Sequence, residues 1–201
     1  MPTKKAPAAT LVLALALIVL PIGGIAPSAA GEPPLLGPFK DNFTLLEAPR
    51  PAPRAVFTDA GGQPVTLQDF AGRVVLLNFW ATWCAPCVYE MPDFDRLQAD
   101  LGGQGLTVIA ASQDRGGAPI VEQFYQEYNL QSMGIYLDGS GKLSQEIGVR
   151  GLPTTFLIDG AGQIVGALEG PAEWDSPEAR ALIGYYLPEG KGGAEVVKTG
   201  G

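Results

Sequence analysis

The stretch Leu77–Pro92, LNFWATWCAPCVYEMP, holds the only two cysteines of a 201-residue chain. Cys84 and Cys87 are separated by Ala85 and Pro86, with Trp80 and Trp83 just upstream. A structural staple, a metal site and a redox centre can each use two cysteines, so the surrounding residues have to choose between them. The run before the pair, RVVLLNFW (73–80), is almost continuously apolar, as in a strand buried on both faces. From Cys84 to Leu101 the pattern suits a helix, with Pro92 inside it as a kink. The pair therefore stands where a buried strand gives way to a helix.

A cross-link stabilises more as the loop it closes lengthens, so a two-residue loop constrains the unfolded chain little. The same short spacing suits reversible exchange, because the second thiol can reach a mixed disulfide formed on the first. A structural zinc site wants four ligands, and this chain has two thiols and no histidine. Copper(I) on two thiolates stays open, without a methionine cluster beside the pair to support it. Cys84 falls at the helix N-terminus, where free N–H groups and the positive dipole end favour the thiolate. Pro86 fits the first turn, where its missing N–H costs little. Cys87, deeper and more shielded, is the poorer nucleophile, so Cys84 is expected to attack and Cys87 to resolve. Trp83 would cover the pair and offer apolar surface to a partner, whereas Trp80 suits the core.

Hydrophobic residues make up 46% of the chain, enough for one core, and the length suits a single domain with appendages. A net charge of -8 without a basic cluster in the body argues against nucleic acid as a partner. The lack of histidine removes the commonest general base near neutral pH. Residues 1–30 have the form of an export element: Lys4 and Lys5, the apolar run LVLALALIVL (11–20), then Ser28 and Ala30 at cleavage-site spacing. A cleaved signal peptide and a retained membrane anchor are both open, and either delivers the body outside the cytoplasm. Residues 31–54 are proline-rich with no sustained period and read as a linker.

Strand-like and helix-like segments then alternate. QPVTLQDF offers a strand and a helical turn, GLTVIAAS a buried strand, APIVEQFYQEYNL a helix, GIYLD a strand and GKLSQEIG a short helix. TTFLID and IVGALEG form a hairpin, and SPEARALIGYYL a closing helix capped by Ser176. This order implies an α/β fold with a partly parallel sheet. DGSGK (138–142) lacks the glycine and the hydroxyl residue of a phosphate loop and reads as a turn. The tail, 188–201, has too little apolar content to fold alone.

NFWATWCAPC together with GLPTTFLID resembles the thioredoxin superfamily, in particular its membrane-tethered TlpA/ResA branch, over residues 55–187. That resemblance implies a thioredoxin-like domain, a central mixed sheet flanked by helices. It also implies a cis proline at Pro153, with Leu152 and Thr154 beside it offering groups to an extended substrate chain. Pro153 follows Cys84 by 69 positions, which matches an inserted strand-helix unit of that branch, placed within residues 115–138. GPAEWDSPEA (170–179) is similar to TlpA itself. Glu90 matches the branch's active-site glutamate. It lies three residues after Cys87, on the same helical face, and is expected to be partly buried and to relay a proton. Asn78 stands where thioredoxin keeps a buried aspartate, and it cannot carry a proton.

The activity so implied is thiol:disulfide exchange without cofactor or metal, in the direction of protein-disulfide reduction. The resemblance adds extracytoplasmic protein substrates, such as apocytochrome c or copper-site assembly factors of cytochrome oxidase, and a transmembrane thiol donor. Two other readings stand beside it. One is a copper(I)-carrying or partner-binding domain without turnover. The other is a peroxiredoxin-like enzyme, disfavoured because only Trp83 separates Thr82 from Cys84 and no arginine flanks the motif.

Overall fold

The computed structural model describes Met1 and residues 32–188. Apart from Met1, the export element at 1–30, and all but the first residue of the tail at 188–201, lie outside the described residues. No helix among the described residues is long and apolar enough to cross a membrane.

The apolar run before the cysteines becomes strand β4, Val74–Trp80, with all seven residues buried. It pairs in parallel with β5, Leu106–Ser112, and antiparallel with β7, Thr154–Ile158. Burial on both sides needs cover on both sides, and the period-2 alternation of a strand divides the work. Val74, Leu76 and Trp80 pack with Met91, Phe94 and Leu97 of helix α2 (Ala85–Leu101) and with Leu182 and Ile183 of α5 (Pro177–Tyr186). Helix α3, Ala118–Glu127, joins this layer, its Phe124 ring 4.9 Å from that of Trp80. Val75, Leu77 and Phe79 pack on the other face with Leu143 and Ile147 of α4, Lys142–Ile147, and with Leu67 of a 3-10 turn at Leu67–Phe70.

The sheet has eight strands in the order β1-β8-β7-β4-β5-β6-β2-β3. The remaining members are β1 (Phe43–Pro51), β2 (Phe57–Asp59), β3 (Pro64–Val65), β6 (Tyr136–Leu137) and β8 (Gln163–Glu169). This is the α/β arrangement expected from the sequence, one mixed sheet between helical layers. The unit inserted between β5 and α4 runs helix first, α3 then β6. Pro92 sits within one continuous 17-residue helix.

Within the proline-rich stretch, residues 39–51 are not a plain linker. Phe39–Asn42 form a short helix, α1, and β1 pairs antiparallel with β8 at the sheet edge. Phe39 and Phe43 are buried in the same core as α2. The folded unit therefore begins ahead of residue 55. A register shift between Leu45 and Arg50 breaks the alternation that would have marked the strand, and an edge position tolerates its prolines.

Candidate active site

Three backbone features converge on the cysteines. First, β4 ends at Trp80, and the Cys84 N–H donates to the Ala81 carbonyl (3.1 Å), closing a tight turn over 81–84. Second, that turn delivers Cys84 to the N-cap of α2, with Pro86 inside the first turn of the helix. Third, β7 pairs Thr154 with Phe79 and Thr155 with Asn78, so the chain enters β7 beside the end of β4. The Leu152–Pro153 bond at that entry is cis. The Thr154 hydroxyl donates to the Gly151 carbonyl at 2.8 Å, and the Gly170 N–H donates to the Pro153 carbonyl at 2.9 Å. The second bond ties the proline loop to the segment that follows β8.

Cys84 and Cys87 are joined as a disulfide with an S–S length of 2.05 Å. Cys84 is 7% exposed and Cys87 fully buried, so the first sulfur is the accessible one. Trp83, by contrast, is 71% exposed, and Ala85 and Pro86 are also at the surface. Leu152 is half-buried, while Pro153 and Thr154 are buried. Trp80 is in the core, as expected, its indole N–H bonded to the Ala110 carbonyl.

Glu90, one turn beyond Cys87 on α2, is only 2% exposed. Its Oε1 accepts from the Ala172 N–H (2.9 Å) and from the Trp174 indole N–H (2.7 Å). Its Oε2 is buried without a hydrogen-bond partner among the described residues. Burial raises the carboxyl pKa from 4.5 to about 7; the two donors pull the other way, and the charge of Asp93 pushes up. The segment that supplies those donors is clamped to the helices. Arg96 of α2 bridges Asp93 and Asp175, and Arg180 of α5 bridges Asp175 and Asp100. Between α2 and residues 171–176 lies an open groove of about 600 Å³, which Glu90 lines. Asn78 is fully buried and donates to the Thr155 hydroxyl at 3.0 Å.

The pair at the strand-helix junction, the buried glutamate and the cis proline were all expected. Two parts of the site were not. Trp174 appeared only within a string resembling TlpA, and its bond to Glu90 crosses 84 positions. Asp114, buried after β5, accepts from the Thr82 N–H at 3.0 Å and from its hydroxyl at 2.8 Å. An aspartate after a strand looks like any turn residue, so no local pattern could have marked it.

The Redoxin family model matches residues 47–183. "Thiol-disulfide oxidoreductase ResA" of Bacillus thuringiensis subsp. konkukian is 37% identical over 125 residues, covering 62% of this chain and 71% of the relative. ResA of Halalkalibacterium halodurans is 35% identical over 131 residues, covering 63% and 73%. Among solved structures, StoA from Bacillus subtilis aligns with a TM-score of 0.53 at 27% identity, over 67% of this chain and 98% of StoA. A Chlorobium tepidum protein assigned as thiol:disulfide interchange protein DsbE aligns with a TM-score of 0.61 at 28% identity, over 70% and 99%. With a Cys-x-x-Cys disulfide at the head of α2, the chain belongs to the Redoxin family, as a thioredoxin-fold thiol-disulfide oxidoreductase of the TlpA/ResA-like kind.

Proposed function

We propose that the protein is an extracytoplasmic protein-disulfide reductase, working at the outer face of the cytoplasmic membrane. The observation that carries this reading is the Cys84–Cys87 pair at the N-terminus of α2, with the buried Glu90 carboxyl one turn behind it.

In the reduced protein, the Cys84 thiolate attacks one sulfur of a substrate disulfide. The other substrate sulfur leaves as a thiolate and takes up a proton. Cys87 then gives its proton to Glu90, whose unpartnered Oε2 is the available acceptor, and its thiolate attacks the Cys84 sulfur. The substrate's second sulfur departs as a thiolate and takes up the proton held by Glu90, and the Cys84–Cys87 disulfide remains. Two electrons and two protons have passed to the substrate. A dithiol donor, brought by a transmembrane partner, restores the pair by the reverse exchange.

Trp83 and Pro86 supply an exposed apolar rim for the substrate, and Leu152, Pro153 and Thr154 its backbone edge. The substrates are extracytoplasmic cysteine pairs, such as those of apocytochrome c or of copper-site assembly factors for cytochrome oxidase. If retained as an anchor rather than cleaved, the N-terminal segment would hold the domain near its membrane partners and raise their effective concentration.

The test is trapping. Cys87→Ser halts exchange at the mixed disulfide on Cys84, and mass spectrometry of the adduct identifies the substrate. Insulin-disulfide reduction and copper content are measured on the wild-type protein in parallel. Turnover with a trapped protein adduct supports the reading. Stoichiometric copper without turnover replaces it with a metal carrier.

A further inference from the structure

The cysteine loop is anchored by a residue outside the motif. The β4–β5 register sets Ser112 beside Trp80, and the Gln113 N–H donates to the Trp80 carbonyl at 2.8 Å. The next residue, Asp114, therefore lies against the 81–84 turn. Thr82 is a central residue of that turn, and both its N–H and its hydroxyl point to the Asp114 carboxylate. The carboxylate is itself locked: the Ser112 hydroxyl donates to Oδ2 at 2.8 Å and accepts from the Asp114 N–H at 3.0 Å.

Asp114 is 5% exposed, and no salt bridge reaches it among the described residues. Both carboxylate oxygens are used, taking three donors in all, whereas a neutral amide offers a single acceptor oxygen at a lower desolvation cost. The carboxylate also sets a buried negative charge against Thr82, two residues before Cys84 in the cysteine turn.

We infer that Asp114 is a positioning residue for the attacking thiol: it fixes the turn that presents Cys84, and its charge opposes the thiolate, favouring the disulfide form and biasing the protein toward donating electrons. The inference rests on the preceding reading, in which Cys84 attacks, and supplies the residue that sets the direction. The α2 dipole stabilises a Cys84 thiolate. A neighbouring carboxylate works against it. The disulfide carries no charge and is unaffected, so the balance moves toward the oxidised form and the reduced form becomes the stronger reductant. The other charged groups of the surrounding elements are Glu90 on α2, Arg115 beside Asp114, Arg150 of the proline loop in its ion pair with Glu169, and Glu173 before α5. Asp138, whose N–H donates to the Ser112 carbonyl, is buried as Asp114 and Glu90 are, but its carboxylate accepts from the Gln113 side chain and from the Leu143 and Ser144 N–H groups, and Asp114 is the one bonded to the cysteine turn.

The test uses the full chain with Asp114→Asn and Thr82→Val. Two quantities are read: the pH profile of Cys84 alkylation in the reduced protein, and the redox equilibrium against glutathione. Asp114→Asn keeps an acceptor and removes the charge, so the alkylation midpoint falls by about one pH unit and the equilibrium moves about threefold to tenfold toward the dithiol. Thr82→Val strips one donor from the carboxylate and leaves its charge less screened, so the midpoint rises. Opposite signs support the electrostatic role. Shifts of the same sign, or none, overturn it, since mere loosening of the turn moves both variants alike. Should Asp114→Asn fail to fold, Thr82→Val decides alone: an upward midpoint supports the inference, and any other result overturns it. A wild-type pair that does not cycle would instead sink the reductase reading itself.

Discussion

Glu90→Gln isolates the energetic cost of keeping a buried carboxyl behind the cysteines. In the folded chain the Glu90 pKa is raised from 4.5 to about 7, chiefly by burial. Between those two values the folded protein holds a proton that the unfolded chain has already released. Stability from this group is therefore fully present below pH 4.5 and is lost as pH rises through 7. At about 1.4 kcal/mol per pH unit, the loss across the window is about 3 kcal/mol.

Gln keeps the same shape. Its carbonyl oxygen takes the Ala172 and Trp174 donors, and its amide nitrogen falls where Oε2 already lacks a partner. At pH 4.5 the two proteins are both neutral at this position and differ little. At pH 8 the variant gains about 3 kcal/mol relative to wild type, or about 6–12 °C in melting temperature for a chain of this size. The assay is urea denaturation of both oxidised proteins at pH 4.5, 6 and 8. All other groups titrate alike, so only the difference between the two proteins is read. A difference that stays flat across this range refutes the argument that a buried carboxyl titrates here. The same substitution should flatten the pH dependence of thiol exchange while leaving the disulfide able to form.

A chain shortened to begin at Arg54 should lose at least the burial of Phe39 and Phe43, about 1.5–3 kcal/mol each, and expose the edge of β8. Denaturation and size-exclusion chromatography should show a less stable, self-associating protein; unchanged behaviour would return residues 31–54 to the role of linker. Gly166→Ala should cost about 1–3 kcal/mol, because the new methyl would meet the Phe43 ring and lie 2.7 Å from the Thr44 carbonyl oxygen. Thermal melting checks it, and an unaltered midpoint would mean that β1 yields freely. Asn78→Asp places a carboxyl in a fully buried site whose one donated bond goes to the Thr155 hydroxyl. Its pKa should rise, so stability should fall as pH rises through neutrality, by at least about 2 kcal/mol; equal melting at pH 5 and 8 would count against this.

The parts that could be read directly were those governed by neighbours in the chain. RVVLLNFW and GLTVIAAS announce buried strands because seven consecutive residues of each must be shielded on both faces or nearly so. The cysteine pair fell at a helix start because strand, turn and helix follow one another within a few residues. Glu90 could be placed on the face of Cys87 from helical spacing alone. The hairpin of β7 and β8 and the Ser176 cap are local in the same sense, the hydroxyl accepting from the Ala179 N–H.

The rest depends on groups far apart in sequence. Phe39 and Phe43 look like stray aromatics in a proline-rich stretch until the Trp174 ring stands 5.3 Å from Phe39 and β8 offers an open edge. A register shift and the prolines erased the alternation by which β1 could have been recognised. Glu90 is a surface-type residue by composition; it becomes a buried, half-satisfied carboxyl only when residues 172 and 174 close over it. Asp114 likewise acquires meaning from a bond to Thr82, 32 positions away. Helical spacing and apolar runs are properties of the chain itself, and so the amino-acid order alone determined the redox motif and its strand-helix frame. Desolvation and hydrogen bonding between distant segments arise only when the chain is folded, and so the tertiary structure alone decided how the carboxylates around that motif are buried and held.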